Sequence, residues 1–395
     1  MTEALSGIMV SRYTETQRDT AIRVLEKWWD LLAAAEPISC PTFSDLNRRI
    51  SNPEQRFVLI TVTDGTIARA LGCFLIEQSM RGYWLGEKRL FNIPMRSATL
   101  FGTSILGQPE QQLAALVLQD AMRGSSSDVI VANDVPVESG TYRAIEGLGW
   151  RKPSYSSTRK GTRHLIPIPA TIDDYLATLR PSTRKATLRD LKIFAKLSPA
   201  YSVFASVEEA DAFLTRAYRL SERTYQAGIG YGLKQDEQFR THFLTLAAEG
   251  RMRAYLATVD GQDCAFAWGD VSHGIFYFRM TGYDPEFAKA NAGKAILFFV
   301  LQDLVDSRLC ASFDFGTLDM PYKSRFGTMT VECAGAIIGD WRRPKSVFII
   351  ALDAAFNALK TLLTRIVGGD RLQRLKRRLR GGGVGAPRQE KSVAQ

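Results

Sequence analysis

Four adjacent residues, Asn291, Ala292, Gly293 and Lys294, form the first stretch whose composition suggests ligand binding. They lie where a strand-like run ends and an apolar run of helical length begins. The N–H groups at the start of a helix, together with the positive end of its dipole, bind anions. Lys294 adds a positive charge, so we predict a candidate seat for the phosphates of a cofactor. The alternative is that Gly293 only permits a turn and Lys294 is solvated, because the P-loop pattern G-x-x-x-x-G-K-[ST] is absent.

The sequence around this turn predicts the order strand, strand, strand, helix, strand. The runs are RMRAYLATVDG, QDCAFAWGD and GIFYFRMTGYDP before the turn, then KAILFFVLQDLVDSR and CASFDFG after it. Short runs rich in β-branched and aromatic residues are typical of strands, and a long apolar run is typical of a buried helix. The turn therefore lies where the last strand of a meander leads into a helix.

The N-terminal part of the chain shows a similar order. TVTDG at 61–65 resembles TVDG at 258–261, and Asp64-Gly65 between two strand-like runs predicts a hairpin. A strand, a helix and another strand follow in each case. FGTSILGQPEQ stands at 101–111 in place of the Asn-Ala-Gly-Lys turn. We therefore predict two related halves, of which the first is degenerate or shapes the substrate side.

Composition excludes several classes of site. The 395 residues include five scattered cysteines and three histidines, with no C-x-x-C and no pair at metal-ligand spacing. A disulfide framework, a zinc site and a histidine-rich catalytic scheme are therefore not expected, and no metal is predicted. The N-terminus lacks the pattern of a signal peptide, so a reducing, cytoplasmic setting fits. Cys264 and Cys310 are interpreted as small core residues, and His273 as a solvated turn residue.

A basic helix is predicted between the halves. Thr171 followed by Asp174 has the spacing of a capping box, and Pro181 suits the first turn of a second helix. That second helix carries a stripe at i, i+4, i+7 and i+11: Lys185, Arg189, Lys192 and Lys196. The stripe is either a solvated face or a surface that binds an anionic cofactor or polymer.

The C-terminal run at 346–367 is long enough to span a membrane, but polar residues interrupt it. Asp353, Asn357, Lys360 and Thr364 fall on one helical face, which indicates an amphipathic helix that packs on the body or lies in a bilayer interface. Residues 371–380 contain six cations and no acid, and this charge favours the anionic bilayer interface. The glycine-rich residues 381–395 are predicted to be disordered.

Residues 175–330 resemble a known family. The resemblance rests on the basic helix RPSTRKATLRDLKIFAKL, on G-Y-D-P before the apolar helix, and on D-x-x-Y-K-x-x-F-G after the last core strand. These motifs are similar to those of GNAT-related acyltransferases of the CelD (cellulose-biosynthesis) type. That family is itself similar to the Fem-type aminoacyl transferases of cell-wall synthesis.

The resemblance implies an α/β fold with a mixed α+β sheet, made of two GNAT-like halves and a C-terminal amphipathic helical extension. We expect a degenerate half at 1–168, an acyltransferase domain at 169–345, amphipathic and basic helices at 346–380, and the tail at 381–395. The implied co-substrate is acetyl-CoA or another acyl-CoA. By analogy, the turn at Asn291–Lys294 meets the pyrophosphate of coenzyme A.

Acyl transfer from a thioester needs a base for the acceptor, a polarised carbonyl and a proton for the leaving thiol. No G-x-S-x-G is present, so direct attack in a ternary complex is favoured over an acyl-enzyme. The candidate catalytic residues are Asp319 and Asp314 as bases and Tyr283 and Tyr322 as acids. Backbone N–H groups on the strand before Gly282 are candidates to hold the carbonyl oxygen.

Asp284 and Lys323 are predicted to bind substrate, and Asp284 is also a candidate base. Structural alternatives stay open for both residues. Tyr283 and Asp284 can simply form a turn before Pro285, and Lys323 can neutralise Asp319 in an ion pair. Asp314 lies between Phe313 and Phe315 on a predicted central strand, where an unpaired carboxylate has a raised pKa.

Three functions fit the sequence. The leading hypothesis is acyl transfer from acyl-CoA to an amine or hydroxyl of a small-molecule, saccharide, cell-envelope or exopolysaccharide-related acceptor. The protein would then be cytoplasmic and peripheral on the inner membrane, through 346–380. The second is an aminoacyl-tRNA-dependent transferase, in which the basic helices bind tRNA; otherwise nucleic acid is not an expected partner. The third is a non-catalytic GNAT-like binding scaffold.

Overall fold

The structure is a computed structural model, and it describes residues 7–33, 42–85, 88–107, 109–148, 154–224, 232–233, 235–317 and 320–367. We refer to the chain up to residue 168 as the first half and to 169–345 as the second half. The tail at 381–395, the basic segment at 371–380 and Asp319 lie outside the described residues.

Each half contains six strands together with the helices that connect them. The strands are β1 (Ile8–Thr14), β2 (Arg56–Asp64), β3 (Ile67–Leu85), β4 (Lys88–Leu100), β5 (Val129–Pro136), β6 (Ser154–Pro167), β7 (Ala200–Phe204), β8 (Met252–Val259), β9 (Gln262–Ser272), β10 (Ile275–Tyr283), β11 (Ser312–Asp314) and β12 (Met329–Asp340). The helices are α1 (Arg18–Ala33), α2 (Phe43–Ser51), α3 (Gln111–Gly124), α4 (Gly140–Leu148), α5 (Ile172–Thr178), α6 (Pro181–Ala195), α7 (Val207–Glu222), α8 (Glu237–Ala248), α9 (Ala292–Ser307), α10 (Pro321–Phe326) and α11 (Pro344–Val367).

All twelve of these strands form one mixed sheet, in the order β1-β2-β3-β4-β5-β12-β6-β11-β10-β9-β8-β7. The last strand of each half is exchanged: β12 pairs with β5 of the first half, and β6 pairs with β11 of the second. β6 and β12 then pair with each other along their whole length, from Met329↔Leu165 to Asp340↔Ser154. The two halves therefore share a continuous centre.

Each half contains one short parallel pair. β4 and β5 are joined from Ser97↔Val129 to Thr99↔Val131. β10 and β11 are joined from Ile275↔Ser312 to Tyr277↔Asp314. A parallel pair needs a crossover connection, and α3 and α9 supply it in the first and second half respectively. The predicted order of three strands, a helix and a strand is confirmed in the second half.

Local signals in the sequence account for several of these boundaries. β2 ends at Asp64 and β3 begins at Ile67, with Gly65 at φ +58° in the left-handed region that glycine favours. Thr171 accepts the N–H of Asp174 (3.1 Å), and Asp174 accepts the N–H of Thr171 (3.0 Å), which is the predicted capping box. Pro181 opens α6, as predicted.

Helices cover both faces of the second half of the sheet. α9 packs Ala295 and Ile296 against Phe276 and Phe313 on one face. α7 and α8 pack Phe213 and Phe243 on the other face, against Phe266 and Trp268. Cys264 and Cys310 are buried, and His273 is exposed in its turn, as predicted.

One central strand is not predicted from the sequence. The polar stretch from Ser154 lacks a strand-like pattern, but it forms β6, at the centre of the sheet. The strand is specified by pairing with β11 and β12 on its two sides rather than by its own composition. In the described part of the chain, no helix combines the length and the apolar character that a membrane span requires.

Candidate functional site

A gap opens in the sheet where β10 and β11 separate. β11 ends at Asp314, so only the first residues of β10 have a partner on that side. The rest of β10 continues along β9 as far as Tyr283↔Ala265. The start of α9 and the loop that leads to α10 lie at the rim of this gap.

The backbone of β10 points polar groups into the gap. Asp284 donates its N–H to the carbonyl oxygen of Cys264 (2.9 Å), which directs its backbone to the β9 side. Successive residues of an antiparallel strand point their N–H and C=O groups alternately to the two sides. The groups of Gly282 therefore face β9, and those of Thr281 and Tyr283 face the gap. That N–H groups on the strand before Gly282 hold a carbonyl oxygen stays a prediction.

The predicted anion site lies at the start of α9. Asn291 has φ +66°, and its carbonyl accepts the N–H groups of Lys294 and Ala295 (3.0 Å each). Among the described residues, no side chain caps this helix. Ala292 is buried, and Gly293 lies against the ring of Tyr283, where a Cβ would come within 2.6 Å of that ring. Tyr283 thus covers part of the first turn while remaining 38% exposed.

Lys294 does not present a free ammonium to this site. Its Nζ donates to Asp190, a mostly buried carboxylate on α6. Burial alone would raise the pKa of Asp190, but the bonds from Lys294 and Arg189 outweigh burial and lower it. The solvated alternative is therefore not what the structure shows for Lys294, and a phosphate contact stays a prediction. Its charge is balanced within the protein.

Tyr322 lies on α10, on the same face of the sheet as α9. Its ring packs edge-on against Phe315, with centroids 5.7 Å apart, and Phe315 belongs to the core beneath α9. Burial raises the pKa of Tyr322 to about 12. The phenol therefore keeps its proton at neutral pH and is able to donate it.

Lys323 points inward, which corrects its prediction as a substrate-binding residue. The side chain is buried, and its Nζ donates to the carbonyl oxygen of Phe315 (2.5 Å). It thereby holds α10 against the loop that follows β11. Whether Lys323 also neutralises Asp319 stays a prediction.

Asp314 is paired rather than isolated. Its Oδ2 lies 2.8 Å from Nε of Arg163 on β6, and its Oδ1 accepts the N–H of Gly316 (2.7 Å). The prediction assumed an unpaired carboxylate, and that condition is not met, because Arg163 neutralises the charge. The geometry gives Asp314 the role of joining β6 to β11 beside the gap.

The carboxylate of Asp284 is also held by contacts within the protein. It accepts the N–H of Glu286 (3.0 Å) and pairs with Nη1 of Arg223 at 2.9 Å. The carboxylate is almost completely buried. The structural alternative, a turn before Pro285, is what the structure shows for Asp284, and its predicted roles in binding substrate and as a base lose support.

Three partners of the predicted residues were missed: Arg163, Asp190 and Arg223. Each lies far along the chain from the residue it binds, so no local spacing reveals it. Asp190 alone carried a signal, because it is the one acidic residue in the basic helix 180–197. An isolated acid within a cationic helix indicates a partner in another element.

The comparison with protein families gives a match within the second half. Residues 181–324 match the model described as an acetyltransferase (GNAT) domain. The matched stretch contains α9, the gap and Tyr322. No curated protein sequence matches the chain.

Solved structures extend the likeness to both halves. The crystal structure of FemX shares 11% identity at a TM-score of 0.55, over 85% of this chain and 98% of that chain. L-PGS from Bacillus licheniformis shares 11% at a TM-score of 0.46, over 83% and 95%. A tandem GNAT protein from the clavulanic acid biosynthesis pathway shares 12% at a TM-score of 0.46, over 83% and 98%. The fold is GNAT-like, with a mixed sheet, as predicted; the CelD type is a resemblance of the sequence only.

Proposed function

We propose that the protein transfers an acyl group from an acyl-CoA to an amine or hydroxyl. The gap between β10 and β11 carries this proposal, because it combines an opening in the sheet, backbone groups that face it and the start of a helix within the matched GNAT domain. Acetyl-CoA is the first donor to test, since the matched domain is described as an acetyltransferase.

The residues at the gap fit such a donor. The backbone groups of Thr281 and Tyr283 face the opening and suit the amides and the thioester carbonyl of the pantetheine arm. The first-turn N–H groups at Ala292 and Gly293 suit a phosphate. Lys294 fits this role least, because Asp190 holds it. Phosphate binding therefore rests on backbone groups, and the ring of Tyr283 forms one wall of the seat.

The chemistry follows from these positions. The acceptor nitrogen or oxygen attacks the thioester carbon, the new C–N or C–O bond forms, and the C–S bond breaks. A donor on β10 stabilises the carbonyl oxygen while it is negative. Tyr322 gives its proton to the leaving thiolate. Asp319 stays the proposed base for the acceptor proton, because Asp314 and Asp284 are each bound to an arginine.

The nature of the acceptor comes from the sequence resemblance. We propose a cell-envelope or exopolysaccharide-related acceptor, with a saccharide amine or hydroxyl as the receiving group. A cytoplasmic protein that is peripheral on the inner membrane would meet such acceptors at the membrane surface.

One observation favours a second candidate, an aminoacyl-tRNA-dependent transferase of the Fem type. Lys185, Arg189, Lys192 and Lys196 are all exposed along α6, and the fold matches FemX at a TM-score of 0.55. Exposed cations in a row suit a nucleic-acid backbone. Against this candidate, the sequence contains no long helical-hairpin insertion of the kind that some Fem-type enzymes carry.

Isothermal titration with acetyl-CoA tests the leading proposal. We expect saturable heat and a thermal shift, both weakened in Gly293→Leu, whose side chain would occupy the space of the Tyr283 ring. Lys192→Ala, on the exposed face of α6, serves as the matched control and should bind as the intact protein does. An absence of heat and of thermal shift at millimolar acetyl-CoA would reject an acyl-CoA donor.

Two further experiments separate the alternatives. A salt-sensitive complex with tRNA, lost on replacing the four α6 cations, would favour the Fem-type reaction. A GNAT-like scaffold without catalysis would bind acetyl-CoA yet retain its biological role after Tyr322→Phe.

A further inference from the structure

The C-terminal helix α11 is held against the first half by its N-terminal end. Arg343 donates to the carbonyl oxygen of Ser127 (2.6 Å), and Lys345 pairs with Asp128 (2.7 Å). Ile349 and Ile350 are completely buried against the sheet. The orientation of the helix is therefore fixed by contacts on its inner side.

One residue of the polar stripe of α11, Asp353, also faces inward. Asp353 is buried, and its Oδ1 accepts a hydrogen bond from Nε of Arg81 at 3.0 Å. Arg81 lies on the long hairpin formed by β3 and β4. The Nζ of Lys360 lies 4.8 Å from the ring centroid of Phe356, and Phe356 packs edge-on against Tyr83 of the same hairpin at 5.1 Å. Arg81 and Tyr83 of the hairpin thus hold the side of the helix that carries Asp353. The polar residues on that side would be expected, from the sequence pattern, to face water.

The opposite side of α11 is apolar and exposed. Phe348 is 57% exposed, Leu359 48% and Leu362 53%. We define the outward face as Phe348, Ala351, Ala355, Leu359 and Leu362, all of which are exposed. These residues recur every three to four positions and include no charge. A contiguous apolar stripe of this kind is costly to leave in water and marks an interaction surface.

Cations and an aromatic residue border this face. Trp341 is 57% exposed just before the helix, and the guanidinium of the exposed Arg342 lies 5.9 Å from its ring. The sequence beyond the helix adds six cations within residues 371–380. Tryptophan and basic residues beside an apolar stripe are typical of helices that lie in the headgroup region of anionic bilayers.

We propose that the outward face of α11 binds the surface of an anionic lipid bilayer. A second copy of the chain fits this face less well. A second copy carries the same net charge of +10, whereas anionic headgroups neutralise the exposed cations beside the face. The binding is independent of acyl transfer, so a membrane experiment can fail while the proposed function stands, and the reverse.

Vesicle flotation of the full chain tests the proposal. We expect flotation with vesicles that contain phosphatidylglycerol, at least about tenfold weaker partition to pure phosphatidylcholine, and a decrease as salt rises. Equal binding to neutral and anionic vesicles would overturn the anionic requirement. This arm uses the unaltered protein, so it does not depend on the folding of any variant.

Substitution then locates the surface. Phe348→Glu combined with Leu359→Glu should weaken partition by at least about tenfold, because two exposed apolar anchors become charged. Leu188→Glu with Ile193→Glu is the matched control, since both residues are exposed apolar positions on α6, and flotation should not change. Circular dichroism melts should coincide for all three proteins. The proposal is overturned if the α11 variant floats normally. It is also overturned if the protein does not float and instead self-associates through α11.

Discussion

The two halves of the sheet have the same order of strands and helices but differ where their parallel pairs end. In the first half, β4 is paired with β5 almost to its last residue, Leu100. In the second half, β10 is paired with β11 only at its start and continues unaccompanied on that side to Tyr283. The same architecture thus ends in a closed seam on one side and a gap on the other.

The chain after β4 closes the first half. Leu106 pairs with Leu71, while Ile105 is completely buried and donates its N–H to Thr141 Oγ1 (3.1 Å). Gly140, at the start of α4, packs so closely that a Cβ would overlap the carbonyl oxygen of Pro109. The start of α3 is therefore sealed by backbone, whereas the start of α9 is covered only by the movable ring of Tyr283. The few residues that follow the fourth strand of each half therefore decide whether the sheet is closed or open at that point.

Tyr322 lies near the start of α10, the helix that follows the parallel pair of the second half, and replacing it gives the sharpest test of this difference. Tyr322→Phe should lower turnover by about 10²–10⁴-fold with little change in KM, because the leaving thiolate loses its proton donor. Since burial raises the pKa of Tyr322 to about 12, the rate should show no fall from its ionisation below that pH. The assay follows thiol release from acetyl-CoA with glucosamine as the acceptor probe.

Tyr142, near the start of α4, is the matched control in the first half. It is buried, with the Nζ of Lys160 lying 6.0 Å from its ring centroid. Tyr142→Phe should leave turnover unchanged. A similar loss in both variants would mean that the two halves do not differ in function.

Two glycines provide the next comparison. Gly140→Ala should destabilise the protein by about 3 kcal/mol, because the new Cβ meets a backbone oxygen that cannot move away. The free energy of unfolding of Gly293→Ala should lie within about 1 kcal/mol of that of the intact protein, since the Tyr283 ring can swing outward and alanine favours a helix. It should nevertheless weaken acetyl-CoA binding at least about tenfold, because the ring then enters the phosphate seat. Urea unfolding and titration calorimetry measure the two effects, and equal destabilisation would show that α9 is sealed as tightly as α3.

The sequence predicts the parts of the fold that depend on neighbours in the chain. The hairpin at Asp64-Gly65, the capping box at Thr171 and the helix after the Asn-Ala-Gly turn are all local. β6 was missed because its polar sequence becomes a strand only between two partners contributed by the second half. Exchange of terminal strands between halves leaves no local pattern.

The site follows the same rule. The turn at Gly293 marks the rim of the gap, but the state of each charged residue depends on a distant partner: Arg163 for Asp314, Asp190 for Lys294 and Arg223 for Asp284. The polar stripe of α11 was found from its spacing. The burial of Asp353 was not, because Arg81, which binds it, comes from a hairpin in the first half. Sequence periodicity identifies a face but not what covers it.

The smallest expected effect concerns the contact between the halves rather than their difference. Asp45 on α2 accepts a hydrogen bond from Nη2 of Arg251, the residue before β8, at 3.0 Å. Burial acts to raise the pKa of Asp45, but the bonds from Arg251 and Thr42 lower it overall. A lowered carboxyl pKa contributes stability that is complete above the unfolded value and is lost as pH falls through the folded value. The free energy of unfolding should therefore decrease through this group as pH falls below about 4. Asp45→Asn should flatten that acid limb, whereas Asp211→Asn, which breaks an exposed pair with Arg240 inside the second half, should not. Identical acid limbs in both variants would mean that the halves are held together by the shared sheet alone.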